Sequence, residues 1–160
     1  MGRLMRRLRI RIRFLIMSDK YYLDSCIWLN LFKKEGDARK GISYWEIALN
    51  FLERVENEGG VIYVSTIVLK ELYFVVGKDF GRVKRFFMDC DFIEIVKTTG
   101  GDYDLARNFE KEDLGRISFY DYLHVAITRR LSCSFLTRDK DLIRFADNRI
   151  KVGKPEDLIG

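Results

Sequence analysis

The strongest constraint on the fold of this chain is a regular alternation between short apolar runs and longer amphipathic segments. The run VIYV at residues 61–64 is typical of a strand that is buried on both faces of a sheet. Residues 43–58, by contrast, carry apolar side chains at helical spacing and end at Gly59 and Gly60, as helices do. Because strands and helices alternate, the sequence predicts an α/β fold with a central, mostly parallel sheet flanked by helices.

A single domain accommodates all of the predicted elements, since 160 residues leave no room for a second one. Strands are predicted at residues 21–23, 61–64, 92–96, 134–137 and 149–152. Helices are predicted at residues 27–32, 43–58, 65–77, 80–89, 102–111, 118–131 and 142–145. In parallel sheets of this kind, the chemistry collects at the carboxyl ends of the strands.

The positive charge of the chain is confined to its first residues. The formal net charge is +5, but residues 1–17 hold six arginines and no acid, which leaves 23 Lys and Arg residues against 24 Asp and Glu residues. We therefore divide the chain into a basic N-terminal extension, residues 1–17, and a nearly neutral domain, residues 18–160. We expect Met17 to be the true start, with residues 1–16 upstream of it. The alternative is an arm attracted to RNA or to a membrane.

Cysteine content and hydropathy exclude two classes of protein. Cys26, Cys90 and Cys133 lie far apart and the chain has one histidine, so a structural zinc site is not expected. Unpaired cysteines in apolar surroundings indicate reduced thiols and a cytoplasmic protein. No apolar run approaches the length of about 18 residues that a membrane-spanning helix needs.

Four acidic residues are candidates for a functional site: two follow the carboxyl ends of predicted strands, and two lie on predicted helices. Asp24 directly follows the first predicted strand, and Asp139 lies two residues beyond the fourth. Glu71 lies in a very apolar helix, and Asp121 lies in the first turn of the helix at 118–131. Each acid alone also fits an ordinary structural role. Asp24 and Asp139 could cap the helices that follow them. Glu71 could lie on a narrow solvent-exposed face of its helix, and Asp121 could interact favourably with the positive end of the helix dipole.

Taken together, these segments resemble the PIN-domain nucleases and, within them, the VapC-like toxin ribonucleases. The resemblance covers about residues 20–153 and rests on the segments YYLDS, STIVLKEL, SFYDYLHVA and FLTRDKDL, in this order. It implies that Asp24, Glu71, Asp121 and Asp139 form one acidic pocket that holds Mg²⁺ or Mn²⁺. Asp141 is an alternative to Asp139, which we prefer because it matches the Thr-x-Asp pattern of the family.

The resemblance also implies a function and partners. We expect a metal-dependent endoribonuclease that hydrolyses RNA phosphodiester bonds, as the toxin of a toxin-antitoxin pair. The expected partners are RNA, an antitoxin that inserts a basic side chain into the pocket, and a second copy in a homodimer. The alternatives are an RNA-processing nuclease without an antitoxin and a non-catalytic binding module.

The four acids are expected to have different roles in the pocket. Asp24 and Asp121 are the predicted direct metal ligands, while Glu71 and Asp139 bind the metal, orient water or support the ligands. His124 follows Asp121 by three residues and is predicted to pack or to form hydrogen bonds rather than to catalyse.

Overall fold

The computed structural model describes residues 19–157, and its centre is a five-stranded sheet in which every strand pair is parallel. The strand order is β3-β2-β1-β4-β5. The strands are β1 Lys20–Leu23, β2 Val61–Ser65, β3 Ile93–Val96, β4 Ser134–Leu136 and β5 Val152–Gly153. The predicted α/β fold is confirmed. The basic extension at residues 1–17 lies outside the described residues, so its role and the start at Met17 stay predictions.

Helices connect successive strands, as parallel pairing requires. They are α1 Ser25–Phe32, α2 Tyr44–Glu58, α3 Thr66–Val76, α4 Phe80–Asp89, α5 Gly100–Asp113, α6 Phe119–Leu131 and α7 Lys140–Ala146, with a 3₁₀ turn at Gly77–Asp79. Side-chain caps begin several of them: Ser65 accepts the Val68 N–H, and Ser118 accepts the Asp121 N–H. Within residues 19–157, no helix has the length and apolar character needed to cross a membrane.

Two elements at the end of the chain differ from their predicted bounds. The last strand is Val152–Gly153 rather than residues 149–152, because the N–H groups of Arg149 and Ile150 still donate to the Ala146 carbonyl. The backbone therefore remains in a turn after α7 until Val152 pairs with Phe135. Helix α7 begins at residue 140, before the predicted 142, because the Asp139 side chain accepts the first free N–H groups.

The middle strand β1 lies beside β4, so the carboxyl ends of these two strands are adjacent. Tyr22 pairs with Tyr63 on β2 and with Phe135 on β4, so β1 is enclosed on both edges. The pairing continues one step past the strand, where the Asp24 N–H donates to the Leu136 carbonyl at 2.9 Å. The carboxyl ends of β1 and β4 are thereby fixed side by side.

An aromatic cluster fills the core beneath α1. The Trp28 ring lies edge-on to Phe87, with the ring centroids 4.8 Å apart, and stacks on Phe32 at 6.2 Å. Trp28 is 1% exposed, and its indole Nε1 has no hydrogen-bond partner among residues 19–157. Trp28 therefore contributes through packing alone.

We expect Trp28→Ala to lower the free energy of unfolding by about 3–5 kcal/mol, because it empties a large buried site. Trp28→Phe should cost less than half as much, since it keeps an aromatic ring and removes an N–H that forms no hydrogen bond. Urea denaturation followed by circular dichroism measures both losses. Equal losses in the two variants would contradict this explanation, because retaining an aromatic ring would then restore no stability.

Candidate metal centre

Asp24 lies at the centre of the candidate site, directly after β1. It caps α1, and its Oδ1 accepts the Ser25 N–H at 2.8 Å. Its Oδ2 accepts the hydroxyl hydrogen of Thr137 at 2.7 Å. The residue is only 6% exposed, so these hydrogen bonds replace most of the water that would otherwise solvate the carboxylate.

Thr137 joins Asp24 to the second predicted acid at a strand end. The hydroxyl that donates to Asp24 also accepts the backbone N–H of Asp139 at 3.1 Å. The Asp139 side chain in turn caps α7, and its Oδ1 accepts the N–H groups of Asp141 and Leu142. The loop after β4 is thus held by one buried hydroxyl and one capping carboxylate.

The alternative acid, Asp141, has different surroundings. It is exposed and lines a cavity of about 420 Å³ together with Arg116 and Arg144. Asp139, by contrast, is linked to Asp24 through Thr137 and acts electrostatically on Asp121. These contacts favour Asp139 over Asp141 as a member of the acidic group.

Glu71 on α3 meets the buried His124 on α6. The Nε2 atom of His124 lies 2.6 Å from Glu71 Oε1 and 3.8 Å from Asp24 Oδ1. One donor atom from each of Asp24, Glu71 and His124 falls within 4.8 Å of the others, so these three side chains could hold a metal ion. The sequence predicted a packing or hydrogen-bonding role for His124, within reach of the pocket but not among the catalytic or metal-binding residues; its hydrogen bond to Glu71 confirms the hydrogen-bonding role. The signal was its three-residue spacing from Asp121, which places both residues on one helix face.

A chain of buried hydrogen bonds orients the His124 ring. Nδ1 lies 2.6 Å from the Tyr22 hydroxyl, which lies 2.6 Å from the Ser65 hydroxyl. Ser65 also accepts the Val68 N–H. When the His124 ring is neutral with its proton on Nε2, Ser65 donates to Tyr22 and Tyr22 donates to Nδ1. When the ring is charged, Nδ1 donates to Tyr22 and Tyr22 donates to Ser65, and in both forms Nε2–H donates to Glu71. The core of the sheet thereby fixes the direction of the Glu71 carboxylate.

Electrostatics in the cluster raise two pKa values. Burial lowers the pKa of His124, but the hydrogen bond to Glu71 and the charges of Asp24, Glu71 and Asp121 outweigh burial, so the pKa lies above its ordinary value. Burial raises the pKa of Asp121, and the charges of Asp24 and Asp139 raise it further against the hydrogen bond from Ser118. Asp24 and Glu71 thus meet at His124, whereas Asp121 is connected to Asp24, His124 and Asp139 through the effect of their charges on its pKa.

Cys26 borders the cluster but is not a nucleophile. Its Sγ lies 3.5 Å from Asp24 Oδ2, and burial, together with the Asp24 charge, raises the thiol pKa to about 12. A thiol with this pKa stays protonated near neutral pH and forms only a weak hydrogen bond. Cys26, Cys90 and Cys133 are all free, as the sequence predicted.

Comparison with known proteins identifies relatives of this architecture. A family model described as PIN domain matches residues 21–148. Comparison with curated proteins finds no match.

Among solved structures, VapBC2 from Rickettsia felis, bound to a DNA fragment from its promoter, is 18% identical with a TM-score of 0.61, covering 84% of this chain and 98% of that chain. FitAcB from Neisseria gonorrhoeae is 18% identical with a TM-score of 0.59, covering 85% and 98%. The sarcin-ricin loop cleaving toxin VapC20 from Mycobacterium tuberculosis is 19% identical with a TM-score of 0.56, covering 81% and 95%. At these identities the likeness shows a shared fold.

Replacing Thr137 tests the link between the two strand ends. Thr137→Val should lower the free energy of unfolding by about 1–3 kcal/mol, because a buried carboxylate oxygen and the Asp139 N–H lose their partner. Thr137→Ser keeps the hydroxyl and should cost about 1 kcal/mol or less, the value of one buried methyl group. Urea denaturation compares the two variants. If they lose the same stability, the hydroxyl is not what stabilises this loop.

Replacing Asp121 tests the electrostatic strain of the cluster. In metal-free buffer near pH 7, Asp121→Asn should raise the free energy of unfolding, because the folded protein disfavours the Asp121 charge. A raised folded pKa means that the folded state binds the proton more tightly than the unfolded state. The destabilisation is therefore full above that pKa and vanishes below the ordinary value of 3.8.

The gain from Asp121→Asn should accordingly shrink as the pH falls towards about 3. Thermal unfolding of both proteins in chelator across this range measures it. If Asp121→Asn stabilised the protein equally at pH 7 and near pH 3, the Asp121 charge would not be the cause of the effect.

Proposed function

This chain belongs to the PIN domain family, and from this we propose that it is a metal-dependent endoribonuclease that hydrolyses RNA phosphodiester bonds as the toxin of a toxin-antitoxin pair. The observation that carries the proposal is the convergence of Asp24 and Glu71 beside His124, with donor atoms within 4.8 Å of one another. Asp121 and Asp139 interact electrostatically with this group.

The donor set fits a hard divalent cation. Mg²⁺ and Mn²⁺ prefer oxygen ligands, which Asp24 and Glu71 supply in the cluster and to which Asp121 and Asp139 would add. The charges of Asp24 and Asp139 that raise the Asp121 pKa are negative charges that a cation would neutralise. When bound, such a cation would supply Lewis acidity and lower the pKa of a coordinated water.

The side chains have distinct proposed roles. Asp24 and Asp121 would bind the metal directly, and Asp24 is held for this by Ser25 and Thr137. Glu71 would bind the metal or orient water from the position that His124 fixes. Asp139, with one oxygen used in capping α7, would use the other toward the metal or its water.

The solved relatives motivate the proposed partners. VapBC2 and a structure from Klebsiella pneumoniae described as a toxin-antitoxin complex share the fold of this chain. We propose that an antitoxin inserts a basic side chain among Asp24, Glu71 and Asp121, where negative charge is concentrated. We further propose that the protein is cytoplasmic and forms a homodimer.

An RNA cleavage assay with the full chain tests the nuclease proposal. Wild type should cleave RNA only with Mg²⁺ or Mn²⁺, and EDTA should abolish cleavage. Asp121→Asn should lower the rate by roughly 100-fold or more, and Asp139→Asn by roughly 10- to 100-fold, the range typical of residues that support a metal site. Asn caps helices as well as Asp does, so Asp139→Asn should leave α7 intact.

Asp141→Asn is the matched control, since it changes an exposed acid two residues from Asp139. It should retain full activity. RNA cleavage that persists in EDTA, or in the Asp121→Asn variant, would refute the proposal. Absence of Mg²⁺ and Mn²⁺ binding in calorimetry, together with intact RNA binding, would identify a non-catalytic module instead.

A further inference from the structure

A pair of side chains marks the edge of the carboxylate cluster. Lys70 directly precedes Glu71 on α3, and Tyr120 directly precedes Asp121 on α6. The Lys70 ammonium lies 5.5 Å from the centroid of the Tyr120 ring. Because Glu71 contacts His124 and Asp121 lies one helical turn before His124 on α6, this cation and this phenol border the site where the phosphodiester would be cut.

Helix α5 adds a second aromatic pair next to the first. The Tyr103 ring stacks on Phe119, with centroids 6.2 Å apart and planes inclined by 27°. The Arg107 guanidinium lies 5.5 Å from the Phe119 centroid. Tyr103 is 37% exposed. Phe119 and Tyr120 are consecutive residues in the first turn of α6, so the two pairs lie next to each other at that end of the helix.

The two cations on this surface differ from neighbouring arginines. Arg130 donates to Asp102, and Arg138 donates to Glu156. Lys70 and Arg107, in contrast, form no ion pair with any residue in the range 19–157. Cations that are not neutralised by acids, set among aromatic rings, are the combination with which proteins bind single-stranded nucleic acid.

We propose that this surface, the aromatic platform of Lys70, Tyr103, Arg107, Phe119 and Tyr120, binds the single-stranded RNA that adjoins the cleaved bond. A nucleobase stacks on the Tyr103 ring, which Phe119 supports, and Lys70 and Arg107 contact the flanking phosphates. Tyr120 holds Lys70 at the edge of the cluster. The inference rests on the proposed nuclease function and specifies which form of RNA it takes, since stacking requires an unpaired base.

Fluorescence anisotropy with the full chain in the inactive Asp121→Asn background tests the platform. The probe is a fluorescein-labelled oligouridine of about 12 nucleotides, within the site sizes of single-strand binders. Tyr103→Ala should weaken binding about tenfold, as loss of one stacking aromatic does, and Tyr103→Phe should stay within about twofold of the parent. Lys70→Gln and Arg107→Gln should each lower the slope of log affinity against log salt by about 0.7.

Two exposed residues elsewhere serve as matched controls. Phe74 is 72% exposed near the end of α3, and Lys84 is exposed on α4. Phe74→Ala and Lys84→Gln should leave RNA affinity unchanged. Circular dichroism checks folding, and if Tyr103→Ala does not fold, the exposed Lys70→Gln variant decides the test.

Unchanged affinity of Tyr103→Ala, or a loss equal to that of Phe74→Ala, would overturn the platform. So would a Tyr103→Ala variant that changes oligomeric state in size-exclusion chromatography while binding RNA normally, because the surface would then be a contact between copies of the chain. Parallel cleavage assays on the unsubstituted chain separate the two proposals. If the unsubstituted chain cleaves RNA and the platform variants bind RNA normally, the platform alone is refuted. If the unsubstituted chain neither cleaves nor binds RNA, the nuclease function is refuted.

Discussion

A buried carboxylate at the centre of the parallel sheet is the constraint on which the rest of the site depends. Asp24 follows the middle strand, so its neighbours enclose it and hydrogen bonds must replace water. The backbone of α1 donates to one oxygen and the Thr137 hydroxyl to the other. Because the same hydroxyl accepts the Asp139 N–H, the residue that follows β1 is linked to the backbone of the loop after β4.

His124 extends this dependence to the helices. Glu71 is partly exposed on α3, yet its carboxylate is held by an imidazole that is fully buried. That imidazole is oriented by Tyr22 on β1, which in turn contacts Ser65 at the end of β2. Since Mg²⁺ prefers oxygen ligands, the imidazole is better suited to orienting the carboxylate than to replacing it.

The order of elements and the positions of Asp24 and Asp139 at strand ends could be predicted from local patterns. The short strands are mostly apolar, and the helices carry recognisable caps such as Ser65 and Ser118. The hydrogen-bonding role of His124 was predicted, but its partners were not, because Tyr22 and Glu71 are distant from it in the sequence. The bounds of β5 also depended on tertiary contacts, since the strand has two residues and is defined by its pairing with β4.

The distribution of charge bears on the proposed recognition of RNA by this protein. A net charge of +5 suggests a basic nucleic-acid binder, but residues 18–160 carry one more acid than base, and the candidate site itself is built around carboxylates. Such a site repels phosphate when it is empty of cations. Substrate would therefore be retained by contacts that do not depend on bulk charge: a bound metal, and aromatic stacking reinforced by cations without acidic partners. Lys70, which directly precedes Glu71, and Arg107, which lies over the Phe119 ring, are the cations proposed for this role, since neither forms an ion pair within residues 19–157.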